Sequence, residues 1–459
     1  MNLTTTSAPL ADLDVTQVEL PGSEAYMRCA TPWNVAVSSQ PLAVVVAHDA
    51  SDIQQAVRWA GSNDIGVAVQ LTGHGAAAQL DSSILIHTGL LDECVIHPEG
   101  WARVGAGVRW AQVLEAAAAH GLAPLAGSAP DVGVVGYTTG GGLGPVARSY
   151  GFASDRVRAF EVVTGDGQFL RATPEENPDL FWGLRGGKGV LGIVTAVEFD
   201  LVRLTEIYGG ALYFNTADAD EVFRAWSSWC KALPEEATTS AAFLRLPPAP
   251  GVPAPLAGRT TLAIRFAWVG ALADGEQELA PMRAVASPLI DAVGPMPYAA
   301  LGAIHADPVD PMPVHEEHAL LAELPASCVE EFLAHVGTET DSPQIIVELR
   351  QLGGAISKHG ELPSAVSYRG AAFSLLTIGL GVPPMAQVAA DDAAGLIAAL
   401  DPWIADGTLP NFSAGNGRTR LTDAYDGSTL DHLLRVAHSY DPNVILTAHR
   451  ALAGAAGQG

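Results

Sequence analysis

"GSAPDVGVVGYTTGGGLG", Gly127–Gly144, carries seven glycines in eighteen residues. Glycine accepts positive φ and lets backbone N–H groups close on a ligand. One such loop alone reads as a tight turn. Two more accompany it: "QLTGHG", Gln70–Gly75, at the end of an apolar run, and "RGGKGVLGIVT", Arg185–Thr195. Three glycine loops in the first 200 residues suit an extended, phosphate-containing cofactor. None stands as GxGxxG on a strand-to-helix turn with an acid ~20 residues on, and no GxxxxGK[ST] occurs. Neither a Rossmann nor a Walker-type site is indicated.

The flanking segments alternate between the two periodicities. "PLAVVVAHDASDIQQAVRWAGSNDIGVAVQ", Pro41–Gln70, reads strand, helix, strand, with Ser51 or Asp52 as the helix N-cap. "WAQVLEAAAAHGL" is a helix stopping at Gly121. "TGDGQ" between two β-runs predicts a hairpin near residue 166. Beyond a Pro-rich loop, "TTLAIRFAWVG", "QIIVELRQLGG" and "AAFSLLTIGLG" read as strands. "DADEVFRAWSSWCKAL", "CVEEFLAHVG" and "DDAAGLIAALDPWIA" read as amphipathic helices. "HADPVDPMPVHEEH", with His305, His315 and His318, reads as a loop or lid; His315 and His318 lack an HExxH pattern, so no metal site is expected.

The 459 residues exceed one ordinary core, and 48% of them are hydrophobic. The formal charge of −26 disfavours nucleic acid and anionic membranes as partners. Four scattered cysteines form neither a disulfide framework nor a zinc spacing. The N-terminus lacks a basic, then apolar, leader pattern, and no run approaches the roughly 18 apolar residues of a membrane helix. A soluble, cytoplasmic protein is expected. Three Lys against 21 Arg hint at a high-GC, bacterial genome.

Loop order and spacing resemble the berberine-bridge-enzyme-like flavoproteins of the vanillyl-alcohol-oxidase superfamily, with its PCMH-type FAD-binding fold. Their Arg-x-Gly-Gly-His loop is matched by Gln70, Leu71, Thr72, Gly73 and His74. Gly127–Gly144 is similar to their Gly-x-Cys-Pro-x-Val-Gly-x-x-Gly-x-x-x-Gly-Gly-Gly. "ARSYGFASDRV", "LFWGLRGGKGVLGIVT", "VELRQLGGA", "AVSYRGAAF", "LPNFS" and "YDPN" follow in order, so the resemblance runs from about residue 30 to 450.

The resemblance implies FAD as cofactor, linked through His74 to the flavin C8 methyl or held noncovalently beside it. Ala129 stands where many members have a second, cysteinyl link, so that link is excluded. It implies cofactor contacts from Gln70, Leu71, Thr72, Gly73, His74 and Gly75; from Gly127, Ser128, Val132, Gly133, Gly136, Tyr137, Thr139, Gly140, Gly141 and Leu143; from Gly192, Ile193 and Val194 toward the adenine half; and from Asn411. Tyr137 falls beside the flavin N1–C2=O edge, where it would stabilise negative charge or merely pack. Val132 falls where oxygen access is set. Glu348 and Arg350, two apart on one strand face, and Tyr368 are catalytic or substrate-side candidates with Tyr137 and Asn411; a structural ion pair is the competing reading of the first two. Phe412 follows Asn411 where several members carry a tyrosine base, so the proton acceptor lies elsewhere or is not needed.

The expected fold is two-lobed α+β. An FAD-binding lobe takes residues 1–205 and the returning segment 411–459, and a substrate lobe of antiparallel sheet and helices takes 206–410. The expected activity is FAD-dependent oxidation of a C–H next to O or N in a specialised metabolite, sugar or amine, with O2 as acceptor. The rival is a flavin-fold cyclase of a polyketide or polyene without net redox change. The substrate is a small molecule, and the oligomeric state stays open, a homodimer included.

Overall fold

The computed structural model describes residues 10–76, 80, 82–413 and 420–456. Most of the N-terminal stretch bearing on a leader sequence lies outside them.

Two sheets and their helices build the first lobe. A four-stranded sheet runs Val18–Glu19, Ala43–Val46, Ser83–His87, Gly66–Gln70, the last three parallel. The parallel strands read as continuous apolar runs because the helix Ala50–Ser62 and neighbouring segments cover them. That helix is capped by Asp49, whose carboxylate accepts from Ser51 N and Asp52 N, one turn edge earlier than the sequence suggested. Asp52 instead turns back to bind Thr16 and His48. A five-stranded antiparallel sheet orders Cys94–His97, Trp101–Gly105, Ile193–Asp200, Val157–Val163 and Phe169–Ala172. Its hairpin turns at the expected Asp166-Gly167. The helix Gly427–Tyr440 returns to this lobe, and Leu433, Val436 and Ala437 join its core.

The second lobe is a nine-stranded antiparallel sheet. Its order is Ile290–Asp291, Glu206–Phe214, Arg259–Trp268, Ala237–Leu246, Ile346–Gln351, Phe373–Leu380, Val314–Leu321, Ile404–Ala405, with Gly294–Pro297 also on 206–214. The helices Thr216–Trp229, Ala326–Val336 and Met385–Ala399 pack on one face. Of the expected loop or lid, residues 305–313 are irregular, but its end is strand: His315 and His318 lie in Val314–Leu321, both buried. The prolines 308, 311 and 313 end just before it, and the charged run "HEEH" alternates between the helix-covered face and the opposite one. Among the described residues no helix is long and apolar enough to cross a membrane. The four cysteines are free thiols, three of them buried.

Candidate active site

His74 is held by its own loop. The 66–70 strand delivers the chain to Gly73, whose φ of +72° and contact with Pro32, 2.5 Å from a would-be Cβ, exclude a side chain. The loop thus lies on the 32–33 backbone, where Trp33 N donates to Thr72 O at 2.9 Å. This sets the Trp33 indole flat against the His74 imidazole, centroids 4.9 Å apart and 16° from parallel. Thr72 Oγ1 is 2.8 Å from Nδ1, and Asp131 Oδ2 is 3.4 Å from Nε2. Burial lowers the imidazole pKa and Asp131 opposes that shift. A neutral ring with its proton on the Asp131 side leaves an Nδ1 lone pair facing the Thr72 hydroxyl. Gln70 does not join this group; its amide donates to Cys29 O. Leu71 lies against Gly133.

The second glycine loop forms the short helix Val134–Thr139 with Gly133 at its N-cap. Val132 O accepts from Trp110 N, so this residue braces the loop. Tyr137 sets its ring edge-on to Trp110 (5.4 Å, 85°) and between Gly127 and Gly142. Its hydroxyl is buried and has no partner among the described residues, as is true of Thr138, and burial pushes the phenol pKa up. Thr139 Oγ1 donates to Val135 O, and its carbonyl receives Gly186 N from the third loop. Gly136 is open on its Cβ side, whereas Leu143 is packed in the small core shared with the second lobe. Ser128 Oγ donates to Asp307 across the lobes at 2.6 Å.

Asn411 joins the loops. Its Nδ2 donates to Tyr137 O and its Oδ1 accepts from Lys188 Nζ, both at 2.9 Å. A Cβ on Gly140 would stand 1.9 Å from that oxygen, so glycine is required here by close approach. In the third loop Ile193 and Val194 open a strand and pair with Val163 and Val162 in the five-stranded sheet.

Facing these loops is the uncovered side of the large sheet. Strand register puts Arg265, Ser240, Arg350 and Ser374 in one row, Ala242, Glu348, Leu376 and His318 in the next, and Leu244, Ile346, Ile378 and Glu316 in a third. The second lobe meets the first at both ends of 314–321. Asn34 exchanges bonds with Val314 near one end (Nδ2 to O, 3.0 Å; N to Oδ1, 3.1 Å), and Leu320 packs with Leu143 and Phe152 at the other. Between them His318 stacks on Phe412, 4.7 Å and 15°.

Glu348 and Arg350 do share a face, and Glu348 is embedded. Its Oε1 accepts from Ser240 Oγ (2.6 Å) and Arg265 Nη1 (2.7 Å), and Oε2 from Arg350 Nη2 (3.1 Å). Burial alone would raise its pKa, but the two guanidiniums hold it well below the usual carboxylate range. It is therefore a fixed anion, saturated with donors and unsuited to accept a proton. His318, with Thr408 and Ser374 hydroxyls on its nitrogens, is pushed by burial down to about 3. Glu316 differs from both. Burial raises it to about 7, and no hydrogen bond or ion pair to its carboxylate occurs among the described residues. Tyr368 packs its ring on Gly407, and Arg369 clamps Asp155 at 2.6 and 3.0 Å, so neither reaches the Glu348 group. Sequence reasoning missed Glu316, Arg265, Asp131, Trp33 and Lys188. The available signal was alternation: Glu316 is two residues from His318. Among the described residues no cluster of His, Cys, Asp and Glu could hold a metal ion.

Residues 41–173 match the family described as FAD binding domain. The orphaned Tyr137 and Thr138 hydroxyls, the enclosed Lys188 ammonium and the close-approach glycine at 140 fit such a polar, phosphate-bearing cofactor. This chain carries an FAD binding domain. The chain is 31% identical over 191 residues to (R)-6-hydroxynicotine oxidase of Paenarthrobacter nicotinovorans, covering 41% of this chain and 42% of the relative. It is 33% identical over 193 residues to the FAD-linked oxidoreductase ZEB1 of Gibberella zeae, covering 39% and 34%. The matched part thus spans about a third to a half of these curated relatives. Its fold superposes on 6-hydroxy-D-nicotine oxidase from Arthrobacter nicotinovorans with TM-score 0.81, 22% identity and 95% and 97% of the two chains. Berberine bridge enzyme from Eschscholzia californica gives 0.78, 17%, 95% and 96%.

Proposed function

We propose that the protein oxidises a small organic molecule at a C–H next to nitrogen or oxygen, with molecular oxygen as the final acceptor. The observation that carries this reading is Glu316, a carboxylate unpaired among the described residues, on the same strand face as His318, which stacks on Phe412 beside Asn411. FAD, when bound, supplies the two-electron acceptor. His74, neutral and oriented by Asp131 and Thr72, is the residue through which the cofactor would be tethered. Glu316 takes the proton from the substrate's N–H or O–H while the C–H is oxidised, the task that Phe412 cannot perform. The Arg265–Glu348–Arg350 group keeps the floor of the cleft polar and rigid. Half-buried Ile346, Leu376 and Ile378 hold an apolar body and thin out water. The names of relatives, a hydroxynicotine oxidase among them and a chitooligosaccharide oxidase among the structural neighbours, support oxidase chemistry.

A non-redox cyclase is the second reading, favoured by the same apolar row and by a carboxyl that is half protonated near pH 7. Anaerobic addition of substrate separates the two. Oxidation bleaches the flavin absorbance and yields peroxide once air enters; turnover without bleaching or peroxide overturns it. Acid precipitation tests the tether. Flavin should stay with the wild-type pellet and leave that of His74→Ala; flavin retained by the variant removes His74 from this role.

A further inference from the structure

Lys188 is one of three lysines in the chain; Lys231 and Lys358 are exposed, whereas its ammonium is enclosed. It sits in the turn between Gly187 and Gly189 with φ of +57°, a left-handed conformation that favours glycine or asparagine. A lysine held there against its backbone preference points to a use for the side chain. The stem runs past Gly140, whose would-be Cβ is 3.0 Å from Lys188 Cδ. Its tip lies 3.5 Å from the corresponding point on Gly75, next to His74. Nζ donates to Asn411 Oδ1, and among the described residues no carboxylate lies within ion-pairing distance of it. Burial lowers its pKa to about 8.

An enclosed ammonium without a counter-ion is expensive, and a protein of net charge −26 has acidic groups to spare, yet among the described residues none is placed here. Two glycine turns with approachable backbone meet at the same point. The site thus suits a permanent anion brought by a ligand. A reduced flavin ring is anionic in one redox state alone and would leave the lysine uncompensated in the other. We propose that Lys188 is the counter-cation of the cofactor's diphosphate. The proposal rests on FAD as the cofactor and not on which reaction follows.

The test uses the full-length protein produced without flavin in a riboflavin-starved host. FAD and riboflavin are titrated separately and binding is read from flavin fluorescence, so activity is not involved. Lys188→Asn removes the charge and suits the left-handed backbone; Lys188→Arg keeps the charge. FAD affinity should fall about tenfold or more in Lys188→Asn, with a shallower salt dependence, while riboflavin affinity is unchanged. Lys188→Arg should recover most of the loss. Unchanged FAD affinity in Lys188→Asn overturns the proposal. So does an equal loss for FAD and riboflavin, which would assign the lysine to the ring or to the fold.

Discussion

Leu349 and Glu348 are neighbours on one strand, and they belong to different worlds. Leu349 points to the helix side of the large sheet, where Phe223, Phe243 and Phe332 stack within 4.8–6.1 Å of one another. Glu348 points to the cleft side, among Ser240, Arg265 and Arg350. The helix side is mainly apolar, with its few polar groups, such as Thr239, Gln351 and the His315–Glu317 pair, engaged with one another or with backbone. The cleft side mixes saturated ions, one unpaired carboxyl and half-buried aliphatics. Strand alternation lets one set of strands supply both stability and chemistry. Substitutions on the two faces should therefore separate folding from turnover.

The largest separation is expected at Glu316. Glu316→Gln should slow anaerobic flavin reduction by about 10²–10⁴-fold, with any substrate that bleaches the wild type. In the wild type that rate should rise with pH through about 7. The titratable and charged groups around it are His315 and His318 on its own strand and Glu348 and Arg350 across the sheet. The same residue has the opposite sign for stability. Its folded pKa is raised above the unfolded value, so the native state binds more protons between roughly pH 4.5 and 7. Stability falls over that window as pH rises, and Gln should abolish the fall. A variant that reduces its flavin at the wild-type rate would erase the distinction between the faces.

Phe332→Ala makes the reverse prediction. It should cost about 3–5 kcal/mol in denaturant unfolding, with flavin reduction per folded molecule unchanged. Arg350→Met, on the cleft side but half-buried, should cost about 1.5–3 kcal/mol through its lost bond to Glu348. It should also change substrate affinity, which Phe332→Ala should not; matched effects from the two would collapse the comparison.

The helix side was the legible side. Val222, Phe223 and Trp226 in one helix, and Val329, Phe332 and Leu333 in another, advertise their period because nothing but packing constrains them. The cleft side was obscured by its function. In 314–321 the histidines and glutamates serve cleft and interior positions, so "HEEH" after three prolines reads as a polar loop. Glu206–Phe214 and Ala237–Leu246 escaped for a related reason: glycines and small hydroxyl residues replace the usual β-branched pattern. The glycine loops were legible as a cradle because close backbone approach leaves a compositional trace. Lys188, a single residue inside such a loop, leaves none. Asp131 and Trp33 were invisible because their partner, His74, is distant in sequence.

The bonds between Asn34 and Val314, and the packing of Leu320 on Leu143, fasten one strand to the other lobe at both ends. A hinge motion that parted the lobes would have to break both fastenings and expose the core between them. The mouth of the cleft is then anchored at both ends of one strand, and access to it does not depend on the lobes parting.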